Sequence, residues 1–239
     1  MSDPAQEGID DPRRSPAEEA TGSIIEPLDG VNAKTRLAYN RAAGRYHDLF
    51  HDELKDKLYD RALLDGFAGR CGGAALVLDA GCGPCGHIGR YVHEKGPAVV
   101  GVDISEDCLI SAAAENPDMA FGQSDLSALG FKDEVFDGII AFYSILDTPK
   151  HAVGRLFREF RRILKPDGLL LLAVKTGTTE GFLDEILGLK TPVYFSLFSP
   201  EEIRDYFVTA GFAVEFLETR APNEKEIPVD RIYARGRRE

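Results

Sequence analysis

The stretch DAGCGPCG at residues 79–86 sets a carboxylate, closely spaced glycines and two cysteines directly after the apolar run AALVL. Glycine accepts turn dihedrals and lets a ligand approach the backbone closely, so Gly81 and Gly83 predict a ligand cradle. Three kinds of chemistry share this spacing: the G-x-G-x-x-G turn of dinucleotide sites, an acidic D-x-G-x-G loop, and a C-x-x-C redox or metal pair. Residues elsewhere in the chain must distinguish among them.

Acidic residues end the apolar runs around this turn. Asp79 lies two residues before Gly81, where it would repel a pyrophosphate and attract a cationic ammonium, such as that of S-adenosylmethionine. Asp103 ends the next apolar run, where a carboxylate can accept hydrogen bonds from both ribose hydroxyls. Capping of a helix that starts at Ser105 is the alternative role for Asp103. We include its neighbour Ile104 among the predicted cofactor-binding residues.

Two further strand ends extend the same pattern. Asp125, in QSDLSAL, can accept the adenine amino group, while Leu126 offers a backbone amide and an apolar wall. An Asx turn is the alternative for Asp125. Ala141 and Phe142, in AFYSILDTP, are expected to reach the methionine end of the ligand, whereas Tyr143 faces either the cofactor or the core.

Cysteines and histidines offer metal or redox chemistry as an alternative. Cys82-x-x-Cys85 has His87 nearby, but no second C-x-x-C follows. His47 and His51 are spaced i, i+4 on one helical face, which can hold zinc, yet the H-E-x-x-H pattern is absent. Packing in a tight turn and solvated histidines account for these residues, so we predict no metal site.

The elements that must position these residues alternate between apolar runs and helical patterns. Spacing between residues 31 and 70 predicts two helices, interrupted near Gly44 and near His51. Strands are predicted at 75–80, 98–104, 119–124, 136–144 and 168–174, and two more follow a helix capped by Ser199. Continuous apolar strands separated by helices predict a mostly parallel sheet covered on both faces. Ligands bind at the carboxyl edge of such sheets, where the glycine turn and the acids lie.

Composition limits the partners and the location. The net charge of −12 disfavours nucleic acid and anionic membranes. Residues 1–30 hold eight acidic and two basic residues among Pro, Gly and Ser, which predicts a disordered acidic tail without a signal peptide. No apolar run approaches the roughly 20 residues that span a bilayer. Four cysteines are too few for a disulfide scaffold, so a cytoplasmic location is expected.

Five segments, taken in order and at their separations, resemble the signatures of class I S-adenosylmethionine-dependent methyltransferases: VLDAGCGPCGHIGRYV, VVGVDIS, GQSDLSAL, FDGIIAFYSILDTP and RRILKPDGLLLLAV. They cover roughly residues 76–174, and SPEEIRDYFVTAGFAV is similar to the family's last helix and strand. The resemblance implies an α/β, Rossmann-like, mostly parallel seven-stranded sheet with helices on both faces and an antiparallel last strand. It also implies S-adenosyl-L-methionine as cofactor and a small-molecule methyl acceptor as partner.

The resemblance carries roles over by position. It assigns the loop, ribose and adenine contacts to Asp79, Gly81, Gly83, Asp103, Asp125 and Leu126. YNRAAGRYHDLF is similar to the entry helix of small-molecule members, whose second tyrosine, here Tyr46, closes over the methionine end. Residues 31–239 then form the methyltransferase domain, with an N-terminal helical cap at 31–70 and a possible lid insertion at 175–199.

Two positions depart from the family pattern. Cys85 replaces the third loop glycine, which puts the geometry of cofactor binding there in question. Asp147 stands where many relatives have histidine after the fourth strand. The catalytic acid or base is therefore unassigned, with His51, Asp147 and His151 as candidates and surface or helix-cap roles as their alternatives.

The segment 175–199 is too long for a tight strand-to-helix connection. Its aromatic residues predict a lid over an apolar pocket, with completion of the core as the alternative: Phe182, Tyr194, Phe195 and Phe198. Two other functions remain open. An NAD-dependent oxidoreductase fits Gly81, Gly83, Gly86 and Asp103, and an inactive binding module could keep the same fold.

Overall fold

The computed structural model describes residues 26–224 and 226–239. The predicted acidic tail, apart from its last five residues, therefore lies outside the described residues. The first helix begins at Leu28, directly after Pro27, whose φ of −60° and extended ψ of 135° suit the position before a helix. The last three residues of the range predicted for the tail are thus helical.

Helices and strands alternate through the chain. The helices are α1 Leu28–Phe50, α2 Leu58–Cys71, α3 His87–His93, α4 Glu106–Glu115, α5 Lys150–Ile163 and α6 Pro200–Thr209, with a short 3₁₀ helix at Glu53–Asp56. The strands are β1 Leu76–Ala80, β2 Ala98–Asp103, β3 Ala120–Gln123, β4 Phe136–Phe142, β5 Leu164–Lys175, β6 Glu180–Leu183, β7 Val193–Ser196, β8 Phe212–Arg220 and β9 Arg231–Arg238.

Seven strands form one sheet in the order β3-β2-β1-β4-β5-β9-β8. The pairs from β3 to β5 are parallel, whereas β9 runs antiparallel to both β5 and β8. This confirms the predicted fold class, including the antiparallel last strand. The antiparallel β9 also separates the fold from the all-parallel six-stranded order of dinucleotide-binding domains.

The sheet is buried on both faces, as its continuous apolar strands require. On one face, Phe157 and Phe160 of α5 and Phe207 of α6 pack against Leu170 and Leu172 of β5. The opposite face is covered by α2 and α3, whose apolar residues include Leu64, Phe67, Ile88 and Val92. Alternate residues of β5 therefore enter different cores.

The N-terminal segment forms a cover for the sheet. Helix α1 contacts α4 and β7, while α2 packs beside α3 and β5. Two helices were predicted here and two are present, with the break after Phe50, close to the predicted interruption at His51. The predicted interruption at Gly44 is wrong, because α1 continues through it; the position faces open space and glycine there costs only helix propensity.

Residues 175–199 contain a separate antiparallel hairpin of β6 and β7. Tyr194 is buried against Phe182, with 5.0 Å between ring centroids. Phe198, which was predicted as part of a lid, is fully buried in the core beside Ile203 of α6. For Phe198 the structure therefore supports the core alternative.

No helix in the described part of the chain is both long enough and apolar enough to cross a bilayer.

Candidate functional site

The glycine turn between β1 and α3 is tied to β2. The backbone N–H groups of Gly81 and Cys82 both donate to the carbonyl of Val102, at 2.8 and 2.9 Å. Gly81 and Gly83 have φ of +79° and +62°, which favours glycine. A β-carbon on Gly81 would lie 2.3 Å from Cβ of Ser144, whereas one on Gly83 would meet open space. Gly81 thus permits close packing, and Gly83 faces a cavity.

The cavity lies at the carboxyl edge of the parallel strands. Eight of the ten predicted cofactor-binding residues line it: Tyr46, Gly81, Gly83, Asp103, Ile104, Asp125, Leu126 and Phe142. Asp79 lines a neighbouring cavity, which shares Tyr46, Gly81, Gly83, Phe142 and Tyr143 with the first. Ala141 lines neither of the two cavities, because its side chain is fully buried in the core.

Asp79 is almost completely buried and accepts a hydrogen bond from the backbone N–H of Gly89, at 2.9 Å. Burial raises the pKa of Asp79 to about 6, although the charge of His87 and the Gly89 hydrogen bond oppose the shift. This hydrogen bond therefore holds one oxygen of the carboxylate toward α3. The attraction of Asp79 for an ammonium stays a prediction.

Asp103 is held by two backbone donors. One carboxylate oxygen accepts from Gly83 N–H and the other from Ser105 N–H, both at 2.9 Å. Ser105 is itself the N-cap of α4, because its hydroxyl accepts from Cys108 N–H, so the capping alternative for Asp103 is wrong. Burial raises the pKa of Asp103, while these donors oppose the shift. Each oxygen keeps a further lone pair with which it can accept from a diol.

Asp125 lines the same cavity. Its carboxylate accepts from the side-chain amide of Asn32, at 2.6 Å, and from the backbone N–H of Ser127, at 2.7 Å. The second bond is the local turn foreseen as the alternative for Asp125. Since both Asp125 and Asn32 line the cavity, the turn and ligand contact are compatible.

Helix α1 covers this cavity, and most of its contributions could not be assigned from sequence. Residues at helical spacing face inward: Leu28, Asn32, Thr35, Tyr39 and Tyr46. A hydrogen bond also joins α1 to the N-cap of α4, because the hydroxyl of Ser105 donates to the side-chain oxygen of Asn40 at 2.7 Å. The i, i+4, i+7, i+11 spacing of the first four was a detectable signal for one helix face, but it does not say what that face covers.

The three residues predicted as candidate acids or bases lie in different environments. Asp147 lines the cavity together with Tyr39. Burial raises the pKa of Asp147 to about 7, whereas Tyr39 and the charge of Lys175 oppose the rise. His51 is exposed at the end of α1 and bonds the carbonyl of His47, and His151 is exposed on α5. Of the three, only Asp147 lines either cavity.

A half-buried polar cluster that could not be predicted from the sequence borders the smaller cavity. Glu53 bonds Nε2 of His87 at 2.9 Å and accepts from Nζ of Lys57 at 2.6 Å. Burial opposes ionisation of Glu53, but His87 and Lys57 outweigh it and lower its pKa to about 2. Tyr143 adjoins this cluster with Nζ of Lys57 5.3 Å from its ring centroid, and it has an unusual φ of +58°.

The cysteine and histidine alternatives find no support. All four cysteines are free, and burial raises the pKa of both Cys82 and Cys85, which disfavours thiolate chemistry. No group of three or more His, Cys, Asp or Glu residues suited to a metal exists among the described residues. The Cys85 side chain is buried within the turn, and its backbone carbonyl accepts from the side-chain amide of Asn116 at 2.9 Å.

Comparisons with known proteins agree with this arrangement. Residues 77–168 match the family profile described as a methyltransferase domain. The chain is 33% identical over 135 residues to malonyl-[acyl-carrier protein] O-methyltransferase of Enterobacter lignolyticus, covering 56% of this chain and 50% of that protein. It is 30% identical over 105 residues to a putative 23S rRNA (guanine-N(1)-)-methyltransferase of Bacillus subtilis, covering 42% and 34%. The matched part thus spans half or less of the length of these relatives.

Among solved structures, the chain is similar to 1,6-didemethyltoxoflavin-N1-methyltransferase of Burkholderia thailandensis, solved with 1,6-didemethyltoxoflavin and S-adenosylhomocysteine. The TM-score is 0.71 at 18% identity, over 92% of this chain and 93% of that one. At this identity the similarity establishes the fold.

Proposed function

Because the chain belongs to the class I S-adenosylmethionine-dependent methyltransferases, we propose that it transfers a methyl group from S-adenosyl-L-methionine to an oxygen, nitrogen or carbon atom of a small molecule. One observation carries the proposal. Gly83, Asp103 and Asp125 line one cavity with the half-buried Tyr39 and Asp147. The site thus combines groups for holding an adenosine with a candidate base.

The residues fit the cofactor in several respects. The open space at Gly83 leaves room for a ligand against the backbone. Asp103 is fixed by two backbone donors yet keeps lone pairs for ribose hydroxyls. Asp125, with Leu126 beside it, can accept the adenine amino group. We assign Tyr46 and Asp79, which line the smaller cavity, to the methionine end. The bound cofactor supplies a sulfonium that activates its methyl carbon toward nucleophiles.

The protein's part is then to position an acceptor and to remove its proton. Orientation of two reactants in one site can lower a barrier by about 7–11 kcal/mol. Gly83, Asp103 and Asp125 would hold the cofactor that supplies the methyl group, and Asp147 would accept the proton that the acceptor loses. Tyr39 lines the cavity together with this carboxylate, and five residues of α1 line the same cavity.

A small acceptor is favoured over RNA on the ground of charge. The net charge of −12 repels a phosphate backbone. In a screen of methyl acceptors that includes RNA, we therefore expect no methylation of RNA.

The test is calorimetric titration with S-adenosylmethionine, S-adenosylhomocysteine and NAD in parallel. We expect saturable binding of the first two and none of NAD. Asp103→Ala should weaken cofactor binding strongly, because the ribose loses its acceptor, whereas Asp107→Ala is a matched control on the exposed first turn of α4. Binding of NAD alone, or unchanged cofactor affinity in a folded Asp103→Ala protein, would contradict the proposal, and binding without turnover of any acceptor would favour the inactive module.

A further inference from the structure

Thr35 lies on the inner face of α1 and lines the same cavity as Gly83, Asp103 and Asp125. The residue is only 6% exposed, and its hydroxyl oxygen is buried. This hydroxyl forms no hydrogen bond with any of the described residues, although a helical threonine can donate to a carbonyl one turn earlier. A hydroxyl buried in this way is unfavourable unless a partner completes it.

Two hydrogen bonds connect α1 to the acids that we assign to adenosine. The side-chain amide of Asn32 donates to Asp125, the proposed adenine contact, at 2.6 Å. The side chain of Asn40 accepts from the hydroxyl of Ser105 at 2.7 Å, and the backbone N–H of Ser105 donates to Asp103, the proposed ribose contact, at 2.9 Å. The stretch of α1 from Asn32 to Asn40 therefore runs from the adenine contact to the ribose contact.

Thr35 lies within this stretch of the helix. An α-helix rises about 1.5 Å per residue, so Thr35 is about 4–5 Å along the axis from Asn32 and about 7–8 Å from Asn40. Tyr39 also lines the cavity, but it lies a further turn toward Asn40. The Thr35 hydroxyl is therefore placed to meet a ligand between its adenine and ribose contacts.

This hydroxyl supplies a hydrogen-bond donor of a kind that the neighbouring acids lack. Asp103 and Asp125 can only accept when ionised, whereas a threonine hydroxyl can also donate. Adenosine carries acceptor atoms, the ring nitrogens of the base and the oxygens of the ribose, that require a donor. We propose that Thr35 binds the adenosine part of the cofactor by donating to one of these atoms. This inference rests on the proposed function and adds a binding residue from α1 to the same site.

The test compares Thr35→Val, which replaces the hydroxyl with a methyl group of similar size, with Thr35→Ser, which keeps the hydroxyl. In urea unfolding of the ligand-free proteins, the midpoint for Thr35→Val should equal or exceed that of the wild type, because an unpaired buried hydroxyl is removed. In calorimetry with S-adenosylhomocysteine, the Kd should nevertheless rise about tenfold in Thr35→Val and stay within about threefold of the wild type in Thr35→Ser. A threonine with a merely structural role would lose stability and affinity together.

Displacement of S-adenosylhomocysteine by 5′-methylthioadenosine locates the contact, because this nucleoside lacks the amino-acid end of the cofactor. Its affinity should fall by about the same factor in Thr35→Val. Thr209→Val is the matched control, since Thr209 is an exposed helical threonine at the end of α6 that lines neither cavity. It should leave the affinity for both ligands unchanged.

Several results would overturn the inference. Unchanged affinity for S-adenosylhomocysteine in Thr35→Val, or an equal loss in Thr35→Ser, would show that the hydroxyl does not bind the ligand. A lower urea midpoint in Thr35→Val would mean that the hydroxyl has a partner within the fold. An undiminished affinity of Thr35→Val for 5′-methylthioadenosine, or no displacement by it from the wild type at millimolar concentration, would place the contact outside adenosine. Failure of the wild type to bind S-adenosylhomocysteine would instead reject the proposed function.

Discussion

Gly81 and Gly83 stand two residues apart in one turn, yet a β-carbon has different consequences at each. At Gly81 it would overlap Cβ of Ser144, at 2.3 Å, so Gly81→Ala should destabilise the fold by about 3 kcal/mol or more. At Gly83 it enters open space and adds only the cost of a positive φ, about 1–2 kcal/mol.

The matched pair of variants therefore separates packing from ligand binding. Gly83→Ala should remain well folded in urea but lose cofactor affinity, because its methyl group projects into the cavity. Urea unfolding and calorimetry with S-adenosylhomocysteine measure both effects. A Gly83→Ala protein with wild-type affinity would show that the ligand does not approach this turn.

Asp147 should determine how activity depends on pH. Its pKa of about 7 reflects burial, with Tyr39 and Lys175 lowering it and Asp103 raising it. As the carboxylate must be ionised to accept a proton, kcat/KM for a turned-over acceptor should rise about tenfold per pH unit up to about pH 7 and then level off.

Asp147→Asn should lower kcat by about 10²- to 10⁴-fold and abolish this limb of the profile. Tyr39→Phe removes a hydrogen bond that lowers the pKa, so the limb should move to higher pH. If the rise of kcat/KM with pH persisted in Asp147→Asn, the rise would have to come from another titrating group. The alternative candidates supply controls, since His51→Gln and His151→Gln alter exposed side chains outside both cavities.

At the scale of elements, hairpin β6–β7 supports the cover of the site. Nζ of Lys34 on α1 lies 4.1 Å from the ring centroid of Phe182, whose ring in turn contacts Tyr194. Phe182→Ala should remove this contact, worth about 0.5–1 kcal/mol, and loosen α1. We expect weaker cofactor binding with little loss of overall stability, measured by calorimetry and thermal unfolding.

Phe198→Ala is the contrasting variant from the same segment. Phe198 is fully buried in the core, so its truncation should reduce the free energy of unfolding by about 3–5 kcal/mol. If both variants lowered stability equally, the hairpin would be part of the core throughout. If Phe182→Ala left the cofactor affinity unchanged, the hairpin would not support α1.

Helices and strands can be predicted from the sequence where a local pattern of residues determines them. The apolar runs of β1, β2 and β4 and the acids at strand ends are short-range features, so spacing along the chain is enough to place Asp103 and Asp125 at one edge of the sheet. Contacts between distant segments cannot be found this way. Tyr39 of α1 and Asp147, in the loop after β4, line the same cavity, and no local pattern distinguishes Asp147 from the exposed His151.

At the scale of the whole molecule, a buried polar network joins the N-terminal helices to the last strand. The hydroxyl of Tyr233 on β9 donates to Asp60 of α2 at 2.6 Å and lies 3.0 Å from that of Tyr143. Arg220 donates to the same hydroxyl at 3.0 Å. The other carboxylate oxygen of Asp60 is buried without a hydrogen bond. The hydrogen bond of this buried carboxylate therefore comes from Tyr233.

Tyr233→Phe should lower the free energy of unfolding by about 1–3 kcal/mol, because it leaves a buried acceptor unsatisfied. The loss should depend on pH. Burial raises the pKa of Asp60 in the folded state, and the Tyr233 bond opposes that rise, so the variant raises it further. A raised carboxyl pKa means that the folded state binds the proton more tightly, and stability then falls as pH increases through the folded pKa.

The destabilisation by Tyr233→Phe should therefore be larger at roughly pH 7 than at roughly pH 4, near the ordinary aspartate pKa of about 3.9, where more of Asp60 is protonated. Urea unfolding at both values measures the difference. Tyr91→Phe is the matched control, because the Tyr91 hydroxyl donates to Asp65 at 3.0 Å on the surface, and its effect should be small at either pH. If the two variants behaved alike, the buried network would contribute nothing beyond an exposed hydrogen bond, and the connection between α2 and β9 would rest on apolar packing.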